Sequence, residues 1–267
     1  MPLEAVEHTL DLDTASLSYD VIDGDGPAIV GLHGLTSSRA SEDDGGYFDW
    51  RPIAQSGRRL VRYDARGHGR STGRPLAEDY RWPQLADDLF RLLDAVAPAH
   101  AVDAFGVSMG VGTLLHAAVR EPERFRRLAF VIPPTAWESR AAQAALYQQM
   151  ADLAESGGMD ALIAAGANAP VLPILQDGGW RLDLRPAISA ALFPAVARGA
   201  AATDFPDPTE LARITHPVLV RPWTDDPGHP IQTAERLHEL LPAAVLSVMR
   251  TPDDLRGLGA SLLTFFS

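Results

Sequence analysis

The segment Gly106-Val107-Ser108-Met109-Gly110 constrains this chain more than any other, because it joins two elements of different periodicity through a turn that only small residues allow. Upstream, Ala101-Val102-Asp103-Ala104-Phe105 is an apolar, β-compatible run. Downstream, Val111 to Val119 reads as a buried helix that ends before Pro122. A strand that turns sharply into a helix at Gly-x-Ser-x-Gly presents the serine hydroxyl at the strand's end. The two glycines leave room for the turn, and the amide after the serine points at a developing oxyanion. Nucleophilic attack by Ser108 is the leading reading of this stretch.

The rest of the chain alternates strand-like and helix-like segments, which favours an α/β fold with a mainly parallel central sheet and helices on both faces. Leu17 to Ile22, Pro27 to His33, Arg59 to Asp64 and Leu128 to Ile132 read as strands, and Tyr47 to Gln55 as a helix. Leu85, Leu89, Leu92, Leu93 and Val96 fall at helical spacing, predicting an amphipathic helix from Trp82 to Ala97. The rhythm stops at Pro133-Pro134. Residues 135–213 are alanine-rich, contain two or three helical segments and show no strand alternation. It resumes with a strand at Pro217 to Trp223, a helix at Ile231 to Leu241, a strand at Ala244 to Met249 and a last helix ending at Phe266. At 267 residues and 46% hydrophobic, the chain can bury a large core as one domain with an insertion or as two domains.

Composition removes several chemistries. All 23 basic residues are arginine and there is no cysteine, so lysine Schiff bases, lysine general bases, thiolate nucleophiles and disulfides are excluded. Histidine and carboxylates must carry any base chemistry. A formal charge of −12 with no basic stripe argues against a nucleic-acid partner. No run of about 18 apolar residues and no basic-then-apolar leader is present, so a cytoplasmic protein with no membrane partner is expected. No metal is expected, because the histidines lack paired helical spacing and Asp225, Asp226 and His229 alone make a thin ligand set. No cofactor is implied either, since the glycine-rich loop at Gly67 lacks the lysine and spacing of a nucleotide site. Glu42-Asp43-Asp44-Gly45-Gly46 reads as a solvated acidic loop. Nothing in the chain requires a dimer.

Three motifs together resemble the α/β-hydrolase family: His33-Gly34 after an apolar strand, Tyr63-Asp64-Ala65-Arg66-Gly67-His68-Gly69-Arg70-Ser71 after the next, and Gly106 to Gly110. The resemblance runs from about Ser16 to the end. It implies an α/β-hydrolase core over residues 1–134 and 214–267, with 135–213 as a helical cap above the active site. It further implies Ser108 as nucleophile, with the backbone N–H groups of Leu35 and Met109 as oxyanion hole. The family's acid follows the strand after the cap, where Trp223-Thr224-Asp225-Asp226-Pro227-Gly228-His229-Pro230 offers two aspartates; the usual spacing favours Asp226.

The family's histidine normally follows the last strand. Here that region reads Thr251-Pro252-Asp253-Asp254-Leu255, and no histidine lies beyond His238. Among the eight histidines, His229 is the best substitute, because it shares a loop with both aspartates and is stiffened by Pro227 and Pro230. His33 is expected near the site, bracing the oxyanion loop or lining the pocket, and His68 is expected to be structural. Asp253 and Asp254 suit the cap of the final helix. Trp137 and Trp223 are candidates for the pocket wall, or for core packing. The expected activity is cofactor-free hydrolysis of a small, neutral, largely apolar ester, lactone or related carbonyl compound. The alternative is a non-hydrolytic or silent member that binds a hydrophobic ligand, or assists a rearrangement, in the cap cavity.

Overall fold

A computed structural model describes residues 5–180 and 185–267, so the stretch 181–184 of the expected cap and the first four residues lie outside what is described. Eight strands form one sheet: β1 (Val6–Asp11), β2 (Ser16–Ile22), β3 (Asp25–Leu32), β4 (Arg58–Tyr63), β5 (Val102–Val107), β6 (Phe125–Val131), β7 (Val218–Arg221) and β8 (Ala244–Leu246). Their order across the sheet is β1-β2-β4-β3-β5-β6-β7-β8. From β4 to β8 every neighbouring pair is parallel, and β1 and β2 add an antiparallel edge. β1 carries no clear apolar alternation: all its residues except Leu10 are exposed, as suits a charged edge strand.

Alternate residues of the central strands enter two separate cores, which is what a sheet covered on both faces requires. Val30, Ala104, Leu128, Phe130, Val218 and Val220 pack with α3 (Trp82–Val96), α4 (Met109–Arg120) and α8 (Ile231–Leu240). Ile29, Phe105, Ala129, Val131 and Leu219 point the other way, onto α2 (Arg51–Ala54), α9 (Pro252–Arg256) and α10 (Leu258–Phe265). α2 is shorter than the helix expected from Tyr47 to Gln55. Pro52 sits at its first turn, and Tyr47, Phe48 and Trp50 form an aromatic group with each other's rings instead.

The acidic stretch 42–46 is not a solvated loop. Ser38 opens α1 (Arg39–Gly45) with a capping box: its side chain accepts from the Ser41 N–H, and Ser41 Oγ accepts from the Ser38 N–H at 2.8 Å. Arg39 is buried against Asp64, Asp20 and Ser18, and Asp43 pairs with both terminal nitrogens of Arg62 at 2.7 and 2.6 Å. Of the acidic residues in this stretch, Glu42 is buried and Asp43 is matched by an arginine far away in sequence, while Asp44 remains exposed.

Between β6 and β7 the named elements are all helical. α5 (Arg140–Ala167) breaks at Gly158 (φ 74°, ψ 178°), and α6 (Pro173–Asp177) and α7 (Phe193–Ala201) follow. A third core of Ala151, Leu162, Ile188, Phe193 and Val196 holds this layer together over Tyr80. Arg140 ties it to the sheet side, donating to the carbonyls of Thr203 (2.9 Å) and Ala200 (2.5 Å) with its guanidinium 4.5 Å over the Trp82 ring. Among the described residues no helix is long and apolar enough to cross a membrane.

α3 and α4 meet where Gly112 faces Trp82: a β-carbon at 112 would stand 2.4 Å from the indole, which is itself buried to 2% exposure. Gly112→Ala is therefore expected to destabilise the fold by about 1–3 kcal/mol in urea denaturation, through overpacking. An unchanged midpoint would show that Trp82 yields freely.

Candidate active site

Ser108 stands between β5 and α4 at φ 50° and ψ −108°, off the common basins, and half-buried. The flanking glycines allow this turn by close contact. A β-carbon at Gly106 would lie 2.4 Å from the Gly110 carbonyl, and one at Gly110 would lie 2.7 Å from the Leu32 carbonyl oxygen. The Ser108 N–H donates to the Val131 carbonyl at 3.0 Å, and its carbonyl accepts from the Val111 N–H at 2.9 Å. The hydroxyl thus emerges at the carboxyl end of the central strand, and Met109 begins α4 with an N–H that has no intrahelical acceptor.

The loop after β3 runs beside it. A β-carbon at Gly34 would be 3.6 Å from Ser108 Cβ. His33 does not line a pocket: it is 3% exposed and both ring nitrogens are engaged by backbone. Its Nε2 accepts from the Ala65 N–H at 2.8 Å, so the proton lies on Nδ1, which donates to the Gly34 carbonyl at 2.7 Å. Burial, reinforced by the adjacent His68, pushes the ring down to about 3 and keeps it neutral. Because a trans peptide sets C=O and N–H on opposite sides, fixing the Gly34 carbonyl also fixes the direction of the Leu35 N–H. His68, fully buried, lies 2.5 Å through Nε2 from the Leu35 carbonyl and 2.8 Å through Nδ1 from that of Arg66, joining this loop to the one after β4.

The loop after β7 brings Asp226 and His229 to the serine. His229 Nδ1 lies 2.7 Å from Asp226 Oδ2, and its Nε2 lies 2.8 Å from Ser108 Oγ. With the carboxylate as acceptor at Nδ1, the neutral ring carries its proton there and leaves the Nε2 lone pair for the serine O–H. Asp226 has two further donors, Oδ1 accepting from the Gly228 N–H at 2.8 Å and Oδ2 from Trp223 Nε1–H, at the exit of β7, at 2.9 Å. Burial works to raise this carboxyl, but the hydrogen bonds and charge of His229, with the donors of Gly228 and Trp223, hold it below the usual carboxylate range. Asp225 is the exposed neighbour, at φ 65°, with Oδ2 accepting from the Thr224 hydroxyl. Of the two aspartates the structure joins Asp226, not Asp225, to the histidine.

The two tryptophans part company. Trp223 is 5% exposed, edge-on to His229 with centroids 6.0 Å apart and 6.3 Å from Phe48, and its donor goes to Asp226. Trp137 turns its indole N–H onto the Pro206 carbonyl and packs against Phe205, in the layer with Trp82; no hydrogen bond or ring contact joins it to the Ser108–His229 pair. Asp204 and Pro206 hold its backbone and ring in that packing position. Thr251 and Asp254 cap α9, the helix before the last: Thr251 Oγ1 accepts from the Asp254 N–H, and Asp254 Oδ2 accepts from the Arg250 and Thr251 N–H groups at 2.9 Å, whereas Asp253 does not cap and accepts from Arg256 at 2.9 Å.

Sequence reasoning missed Glu42, which α1 buries to 6% exposure behind the loop after β3. Burial pushes its carboxyl up to about 7; Arg62 opposes this, but both its terminal nitrogens are engaged by Asp43. The only signal in the sequence was the capping box at Ser38.

These observations have counterparts in known proteins. A family model described as alpha/beta hydrolase fold matches residues 27–177, more than half of the chain, and the chain belongs to that family. The sn-1-specific diacylglycerol lipase of Mus musculus is 34% identical over 127 residues, covering 47% of this chain and 39% of that relative. The match thus spans about two fifths of the curated relative's length. A hydrolase from Pseudomonas aeruginosa superposes with a TM-score of 0.76 at 22% identity, over 98% of both chains. The enol-lactonase from Burkholderia xenovorans gives 0.74 at 20% identity, over 97% of this chain and 98% of its own. At these identities the likeness is one of fold.

A carboxyl raised by burial costs stability once the pH exceeds its unfolded value, about 4.3, and the cost grows until the folded value is passed. Glu42→Gln is accordingly expected to be more stable than the parent at pH 8, with the gain shrinking to nothing below about pH 4. Urea melts at both pH values measure this, and an equal effect at the two would refute the buried-charge account.

Proposed function

We propose that the protein is a serine hydrolase that needs no cofactor and acts on a small, neutral, largely apolar ester or lactone. One observation carries the reading: a single imidazole lies 2.8 Å from the Ser108 hydroxyl and 2.7 Å from the Asp226 carboxylate, through opposite ring nitrogens. This is the relay that an otherwise weak hydroxyl nucleophile requires.

In the proposed reaction Ser108 Oγ attacks the substrate carbonyl carbon as His229 Nε2 takes the hydroxyl proton. The carbonyl π electrons move onto oxygen, and the N–H groups of Leu35 and Met109 receive that oxyanion. Collapse breaks the bond to the alkoxy leaving group, which takes the proton from His229; for a lactone this opens the ring. Water, deprotonated by the same nitrogen, then attacks the acyl-serine, and a second collapse returns the proton to Ser108 and releases the acid. Asp226 stays ionised throughout, fixing the Nδ1–H tautomer and stabilising the imidazolium. The net charge of −12 disfavours an anionic substrate.

A fluorophosphonate probe followed by intact mass tests this directly. One adduct on Ser108 is expected in the parent and none in Ser108→Ala. In His229→Ala, labelling and turnover of short p-nitrophenyl esters and lactones should fall by about a hundredfold or more. Equal labelling rates in the parent and His229→Ala would remove the histidine from the mechanism, and an unlabelled parent would remove the serine.

A further inference from the structure

We propose that Trp223 is a positioning residue for the acid–base pair: through the indole N–H that it donates to Asp226 Oδ2, it sets how firmly that carboxylate holds the His229 ring. The proposal rests on the serine-hydrolase reading for its catalytic consequence, and on geometry alone for the contact.

The oxygen that takes the His229 proton contact at 2.7 Å also takes the Trp223 N–H at 2.9 Å, while the other carboxylate oxygen takes the Gly228 N–H at 2.8 Å. Three donors therefore converge on one carboxylate. Two of them, Gly228 and His229, move with the loop itself. Trp223 is different because it belongs to the exit of β7. The preceding Pro222 carbonyl accepts from the Met249 N–H at 2.7 Å, and the indole is 5% exposed beside Phe48. Asp226 is thus tethered to the sheet through a ring that has nowhere to turn.

The chemical type matters as much as the tether. An indole N–H donates and never accepts, so it cannot take the Asp226 proton or support the neutral acid. It favours the ionised carboxylate, as a hydrogen bond to a charged group does. It also draws negative charge away from the oxygen that faces Nδ1, which moderates the pull on the histidine proton. The other groups facing Asp226 are few. Asp225 and His229 come from its own loop, and Tyr147 comes from α5, with Arg140 against the tyrosine ring at 5.5 Å. No arginine forms an ion pair with Asp226, so the indole is its donor from outside the 225–230 segment among the described residues.

Trp223→Phe keeps an aromatic ring in place and deletes the donor. The expected result is a fall in kcat of about three- to tenfold on a p-nitrophenyl ester with KM changed less than about twofold, the scale of one ordinary hydrogen bond lost at a carboxylate that keeps its other donors. The acid limb of the kcat/KM profile should move to higher pH, because the carboxylate left with fewer donors binds a proton more readily and grips the imidazolium harder. A residue that only fills space would lower stability and leave that limb where it was, and this outcome overturns the proposal. A second measurement needs neither turnover nor the folding of Trp223→Phe. In the parent, the Trp223 Nε1–H resonance should move upfield as Asp226 is protonated, and should lie upfield in Asp226→Asn at neutral pH. A resonance indifferent to both changes overturns the contact itself. Because this arm needs no substrate, it judges Trp223 even where fluorophosphonate labelling fails and the hydrolase reading falls.

Discussion

The upper edge of the sheet is organised by the backbone at Ser108. A side-chain-bearing residue at φ 50° and ψ −108° costs on the order of 1–3 kcal/mol, and it persists only where its surroundings over-determine it. Here they do. Its N–H is bound across the sheet to β6, its carbonyl begins the hydrogen-bonding of α4, and the chain on either side is pressed into contact at Gly106, Gly110 and Leu32. One consequence is placement: the hydroxyl is lifted clear of the strand. Another is that the loop after β3 passes against Ser108 Cβ at Gly34. The strain, the amide and the neighbouring loop are one arrangement rather than three.

The same logic explains why two buried histidines stand behind the loop at Gly34. A loop whose carbonyls were left to solvent would keep many orientations, because water satisfies them all. His33 and His68 each take hold of a successive carbonyl, Gly34 and Leu35, and lie 5.1 Å from each other between the loops that follow β3 and β4. Ala187 N–H reaches down to the Thr36 carbonyl, and Gly69 N–H reaches to Ala187, so the helical layer also leans on this loop. The 63–71 motif therefore supports the loop that follows β3.

How much of this is readable from residues alone follows from the range of the interactions. The elbow is local: two glycines, an apolar run before and a helix after define it within twenty residues. The central strands are equally legible because each is apolar on both faces, and the 223–230 loop contains both members of the Asp226–His229 pair. What escapes is what depends on distant partners. α1 reads as an acidic loop because Arg62, which neutralises Asp43, lies nineteen positions away, and Arg39 finds Asp20 and Asp64 only after folding. β1 has no signal of its own, since its order comes from pairing with β2. Trp137 and Trp223 were indistinguishable as aromatics at strand ends; what separates them is where one N–H lands, on the Pro206 carbonyl or on Asp226.

Placing the imidazole and its carboxylate partner in one loop also suits the sheet. β7 is two strands from β5, about 10 Å across, whereas β8 is three strands away, about 14 Å. β8 is moreover a short edge strand, with Val245 58% exposed, while β7 is hydrogen-bonded on both sides and buried throughout. A group that must stay within 3 Å of a fixed hydroxyl is better carried by the nearer and stiffer strand. Pro227 and Pro230 limit the loop's freedom, the Gly228 carbonyl is bound by Thr135 N–H at 3.0 Å, and Asp226 is tied back to the strand exit through Trp223. With the imidazole supplied there, the residues after β8 are released for ordinary structural duty, and Thr251 and Asp254 use that freedom to start α9 with a reciprocal cap.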